Sequence, residues 1–165
     1  MDLDVQVSDL FEAHRDRVYR YVIRLIGEPS VAEEITQEVF LRLYRSLLEA
    51  KQIADMRSWV YAIAHNLAVD FLRGKRPEAG NDWSELADTI PDKSPNPEEQ
   101  AFRSERSAYF QSALGALPVQ QRACVLLRAE GFRYREIAKM LGVAVPTVGE
   151  SLRRGLDRLG KGLHA

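Results

Sequence analysis

One cysteine, three histidines and no long apolar run close off several kinds of chemistry in this 165-residue chain. Cys124 has no second cysteine for an internal disulfide, and one thiolate leaves a structural zinc site short of ligands. It sits in the apolar run Ala123-Cys124-Val125-Leu126-Leu127, where a buried small hydrophobe is expected. The histidines are scattered. No glycine-rich phosphate loop and no nucleophile–base pattern accompanies them, so no catalytic residue, no metal and no cofactor is expected. An enzyme reading rests on nothing beyond the histidines and Asp70. No apolar stretch approaches the ~18 residues of a membrane span. The opening Met1-Asp2-Leu3-Asp4 lacks the basic-then-apolar order of a secretory signal. The expected location is the cytoplasm, with no membrane contact by the chain itself.

Net charge is nearly absent too, at −1, which argues against a uniformly basic nucleic-acid binder. Divided along the chain, the balance changes. Residues 1–50 carry −4, 51–76 carry +3, 77–100 carry −6 and 101–165 carry +6. Two basic blocks flank an acidic connector, and segregation of this kind points to separate surfaces for separate partners.

Strand alternation and internal repeats are missing as well; the periodicity that is present is helical. Ser8 can cap a segment running to about Ile26, where Gly27 stops it. Ser30 starts a second helix, with Glu33 completing a capping box. Val31, Ile35, Val39, Leu43 and Leu47 recur every fourth residue on its apolar stripe. A third helix runs from about Asp55 to Arg73, with Trp59, Val60, Ile63, Ala64 and Leu67 among its apolar residues. Trp59 fits a core position better than an exposed platform. Between Pro77 and Pro97 periodicity vanishes, and four of the seven prolines fall there, as in a linker. Asn96-Pro97-Glu98-Glu99 restarts helix. Leu117-Pro118 opens another helix ending at Gly131, Tyr134–Leu141 forms a short one, and the last runs from about Val145 to Leu159. The expected fold is all-α: two small helical domains, 1–76 and 97–165, joined by an acidic flexible linker at 77–96.

The stretch Tyr134 to Val148 has the pattern of a helix-turn-helix. Ala138 is small enough for a close helix crossing, and Gly142 takes a turn conformation that β-branched residues resist. Ile137, Leu141, Val143, Val148 and Leu152 supply the apolar wedge. Thr147 lies near the start of the second helix, the end that meets base edges in the major groove. Arg133, Arg135, Arg153, Arg154 and Arg158 are placed for phosphates.

Three stretches together resemble the extracytoplasmic-function (ECF, group IV) sigma factors of bacterial RNA polymerase. Val31 to Leu43 is similar to the conserved helix of the family's region 2. Arg57-Ser58-Trp59 through Phe71-Leu72-Arg73 is similar to the helix that meets the −10 promoter element, and Leu117-Pro118 through Arg154 to region 4, which meets the −35 element. The resemblance implies a non-enzymatic protein that binds core RNA polymerase and promoter DNA, both duplex and melted non-template strand. It also implies silencing by an anti-sigma factor. It assigns Glu34, Gln37, Glu38 and Leu41 to polymerase binding, and Trp59, Tyr61, His65, Asn66 and Arg73 to the −10 element. Asn66 matches the base-contacting position, the loop from about Leu48 to Asp55 shapes the base pocket, and the role of His65 is open. Arg133, Arg135, Thr147, Ser151, Arg153 and Arg154 fall to the −35 element. The chain departs from the family at one place. Where many relatives carry Lys-Ser-Arg on the recognition helix, it has Gly149-Glu150-Ser151, so the −35 preference cannot be borrowed. A conventional DNA-binding regulator with a dimerising or sensing front half is the competing reading.

Overall fold

The computed structural model describes residues 2–74 and 108–164. Among the described residues there are seven helices and no strand: α1 (Leu3–Ile26), α2 (Pro29–Leu48), α3 (Met56–Gly74), α4 (108–115), α5 (Val119–Ala129), α6 (Tyr134–Leu141) and α7 (Val145–His164). The expected linker, both domain boundaries and the helix start at Asn96-Pro97 lie outside those residues.

Local chemistry sets the helix ends, in two cases not where sequence pattern alone puts them. The first helix begins ahead of Ser8, because the Asp2 carboxylate accepts from the Asp4 amide at 3.3 Å and caps it. Asp4 is also tied to α2 through the Tyr44 hydroxyl at 2.9 Å. The second helix begins at Pro29, a residue whose missing N–H costs nothing in a first turn. Ser30 is therefore already inside the helix and the expected capping box does not form; Glu33 lies 3.9 Å from Arg15 on α1 instead. The third start is as expected: Asp55 accepts from the Ser58 amide at 3.2 Å and its hydroxyl at 2.7 Å.

The first three helices pack on one another around Val18, Val22, Leu25, Ile26, Val39, Leu43 and Ala64, all fully buried. Leu114, Leu127, Phe132, Ile137 and Val148 form the interior of the second group. These interiors touch: α1 packs on α5 and α3 on α6. Gly155 lets α7 cross α5 closely, since a Cβ there would stand 3.0 Å from Val125 Cγ2.

Candidate nucleic-acid interface

On α2 the periodic apolar stripe faces inward, which leaves Glu34, Gln37 and Leu41 outside and Glu38 half-buried. Leu41 is 50% exposed. It rims a groove of about 480 Å³ between α1 and α2, with Val7, Phe11, Gln37, Phe40 and Tyr44. Glu38 is steadied by Arg42 at 3.1 Å, a helical i,i+4 pair. Gln37 and Leu41 thus share one mostly apolar groove, with Glu34 and Glu38 as its acidic neighbours.

On α3 the five residues assigned to the −10 element separate. Asn66 and Arg73 are exposed. Trp59 is half-buried and lines a cavity of about 530 Å³ with Lys51, Ile53 and Asp55 of the preceding loop and Glu136 and Met140 of α6. Tyr61 and His65 are buried, at 0% and 7% exposure, and in this arrangement offer no surface to a nucleic acid. Tyr61 packs edge-on against Phe132 with centroids 5.1 Å apart, and its hydroxyl donates to Glu130 at 3.2 Å. Burial, then Glu130, raises its pKa. The His65 Nδ1 lies 2.8 Å from the Tyr21 hydroxyl, and desolvation lowers the imidazole pKa to about 4. The ring is therefore neutral at pH 7, so its Nδ1 accepts the tyrosine proton when hydrogen rests on Nε2. Its surroundings are the packed side of α3 against α1.

Residues not singled out from sequence join the two halves. The Arg57 guanidinium stacks 4.1 Å from the Phe132 ring centroid, donates to the Glu130 carbonyl, and approaches the Glu130 carboxylate at 3.9 Å. Ser58 donates to Glu136 at 3.3 Å. Arg122 on α5, buried at 7% exposure, donates to the Leu25 carbonyl at the end of α1 and to the Leu117 carbonyl at 2.9 Å. Burial brings its pKa down to about 10, still a cation at pH 7. Local periodicity carries no signal for such contacts, since the partners lie far apart along the chain.

The helix-turn-helix forms on α6 and α7. Gly142 has φ +68°, and the Val143 amide returns to the Ala138 carbonyl at 3.0 Å. Arg133 opens α6, its amide capped by Glu136 at 2.9 Å. Arg133, Arg135, Thr147, Arg153 and Arg154 are exposed. Ser151 is not: at 7% exposure it accepts from the Gln120 amide at 3.0 Å and bonds Cys124. It is held against α5, at the floor of the concavity that Thr147, Glu150 and Arg154 border. Cys124 is fully buried as expected, and burial pushes its thiol up to about 11. At the exposed front of α7, Thr147, Glu150 and Arg154 border a concavity of about 580 Å³ with Gln120 and Gln121 of α5.

Two family models match the chain, Sigma-70 region 2 over residues 10–78 and Sigma-70, region 4 over residues 107–159. The ECF RNA polymerase sigma factor SigE of Mycolicibacterium smegmatis is 38% identical over 153 residues, covering 92% of this chain. The chain spans 59% of that relative's length. SigW of Bacillus subtilis, another ECF sigma factor, is 28% identical over 165 residues, covering 95% of this chain and 88% of its own. Among solved structures, the sigma factor RpoE of Bartonella quintana, crystallised with the anti-sigma factor NepR, superimposes with a TM-score of 0.71. It is 19% identical, with 96% of each chain covered. CnrH, solved with the cytosolic domain of CnrY, gives 0.68 at 19% identity, covering 96% of this chain and 87% of its own. At that identity the two structures speak for the fold.

Proposed function

The chain belongs to the sigma-70 family, and from that premise we propose that it is an ECF sigma factor of group IV: it binds core RNA polymerase, directs it to particular promoters and helps to open the DNA. Residues 1–76 serve as the region 2 domain, 77–96 as an acidic linker and 97–165 as the region 4 domain. One observation carries the reading. An α2 face with an exposed leucine in an apolar groove and a formed helix-turn-helix occur in one chain, in family order. A helix-turn-helix alone supports DNA binding and nothing more specific.

Each step has a physical driver. The α2 groove takes an apolar side chain while Glu34 and Glu38 meet basic groups of the polymerase, which sets orientation and encounter rate. The exposed Asn66 amide both donates and accepts, which suits the edge of an unstacked base. Unstacking costs a few kcal/mol, which such contacts must offset. Trp59 and the loop before α3 wall a cavity closed on its far side by α6. Arg133, Arg135 and Thr147 lie on the exposed side of the helix-turn-helix, ready for phosphates and base edges. Melting is driven by binding energy, so the protein acts without a catalytic residue, and its place of action is the cytoplasm. The RpoE relative is known with an anti-sigma factor; a partner of that kind, seated on the polymerase-binding surface, is the expected means of silencing.

The docking face is tested by changing Gln37 and Glu38 together to alanine. Co-sedimentation with core polymerase is expected to weaken at least tenfold with helicity unchanged. Unaltered association would remove α2 from the docking surface.

A further inference from the structure

The exposed front of α7 holds a carboxylate where a DNA-facing surface would be expected to be basic. Glu150 is three residues past Thr147 and four before Arg154, so all three lie along one side of the helix. Its two oxygens are engaged by two guanidinium groups. Arg153 grips it as a fork, Nη2 to Oε1 at 2.7 Å and Nε to Oε2 at 3.2 Å. Arg154 donates Nε to Oε1 at 2.8 Å. The two arginines hold the carboxyl down at about 2, so it stays an acceptor at any working pH.

The two arginines are left in different states. Arg153 spends its Nε–Nη2 edge on Glu150, and its Nη1 lies 3.4 Å from Asp157. Both edges of its fork face carboxylates. Arg154 is held through Nε, and among the described residues Glu150 is its ion-pair partner. Its terminal Nη pair is therefore the one still available for a bidentate contact. A guanidinium meets guanine O6 and N7 with such a pair, the commonest specific contact in the major groove. A long side chain already fixed at Nε loses less freedom on binding than a loose one.

We propose that Glu150 is a positioning residue that sets promoter specificity, holding Arg154 end-on to read one guanine of the −35 element and withdrawing Arg153 from phosphate binding. The proposal rests on the promoter-recognition reading above. It gives Arg153 and Arg154, which the sequence places together on the −35 element, different tasks.

The test uses holoenzyme assembled from the full chain and core polymerase, selected on promoters randomised through the upstream element. Wild type is expected to enrich one guanine position. Arg154→Ala should abolish that enrichment, and Glu150→Ala should lower it roughly tenfold, within the range of one bidentate base contact. Enrichment elsewhere should be unchanged, and Glu150→Gln, which keeps an acceptor for Nε, should recover part of the loss. Glu150→Ala should also bind non-specific duplex more tightly, with a steeper salt dependence, because Arg153 is freed for a phosphate. Circular dichroism checks that the exposed substitutions leave the helix intact. The proposal is overturned if Glu150→Ala leaves the base profile unchanged. It is also overturned if that change and Arg154→Ala alter different base positions, because Glu150 would then read a base itself. A wild-type holoenzyme with no base preference in the upstream element would overturn the promoter-recognition reading, and this proposal with it.

Discussion

His65 illustrates what burial does to a residue whose type suggests function. A histidine beside an asparagine on a helix similar to the one that meets the −10 element invites a recognition role, yet it is 7% exposed and bonded to Tyr21. Nothing in its immediate sequence distinguishes the two fates, since they depend on α1 packing over that side of α3. The consequence is a pH dependence. With a folded pKa of about 4 against 6.5 unfolded, the unfolded chain takes up the proton first as pH falls. Stability from this group is complete above about pH 6.5 and is lost progressively toward pH 4, by about 1.4 kcal/mol per unit at most. Denaturant unfolding between pH 7 and 4 should show a shallower fall in His65→Gln than in wild type. Parallel curves would mean that the imidazole is not buried neutral. Asn66, one residue on, is exposed, and the base contact proposed for it gives a second prediction. Asn66→Ala should reduce open-complex formation, read by permanganate reactivity of melted thymines, at least tenfold more than duplex binding. Equal losses in both would make Asn66 structural.

Periodic elements were the most legible from sequence, and their ends the least. The stripe of α2, the apolar side of α3 and the whole of α6 follow from residue spacing, because a core-facing helix must repeat near every third or fourth residue. Starts depended on which of several capping groups won. Pro29 pre-empted Ser30, and Asp2 pre-empted Ser8, each because the earlier residue already satisfied or removed the first-turn donors. The burial of Ser151 has a related cause. On α7 a one-position rotation separates the exposed front from the side packed on α5, and Gln120, 31 residues away, decided it. Gly149 gives a prediction at this scale. A Cβ there would meet only Tyr134 Cε2 at 3.8 Å, an ordinary contact. Gly149→Ala should therefore stabilise α7 by up to about 1 kcal/mol, seen as a higher thermal midpoint; a lower midpoint would contradict the contact geometry.

At the scale of the whole molecule, the two halves meet across α3 and α6, and α1 and α5, with Arg57, Glu130 and Phe132 at the centre. Sequence pattern divided the chain but gave no view of this contact, because it joins residues more than seventy positions apart that share no local pattern. A partly exposed cation–aromatic pair contributes about 1 kcal/mol. Arg57→Ala should accordingly loosen the two halves, measured as a longer distance between spin labels on α2 and α7. An unchanged distance would show that apolar packing alone holds them. Tyr61 lies beneath the same contact, so any use of its ring on promoter DNA requires the halves to part. The central claim is tested most directly by reconstitution. The purified chain, free of any inhibitor, is added to bacterial core RNA polymerase and transcription is mapped on a genomic promoter library. Stable association, with start sites that share two spaced upstream motifs and vanish without the chain, is the predicted result. No association, with symmetric binding to duplex DNA as a dimer, would contradict it and identify a conventional helix-turn-helix regulator.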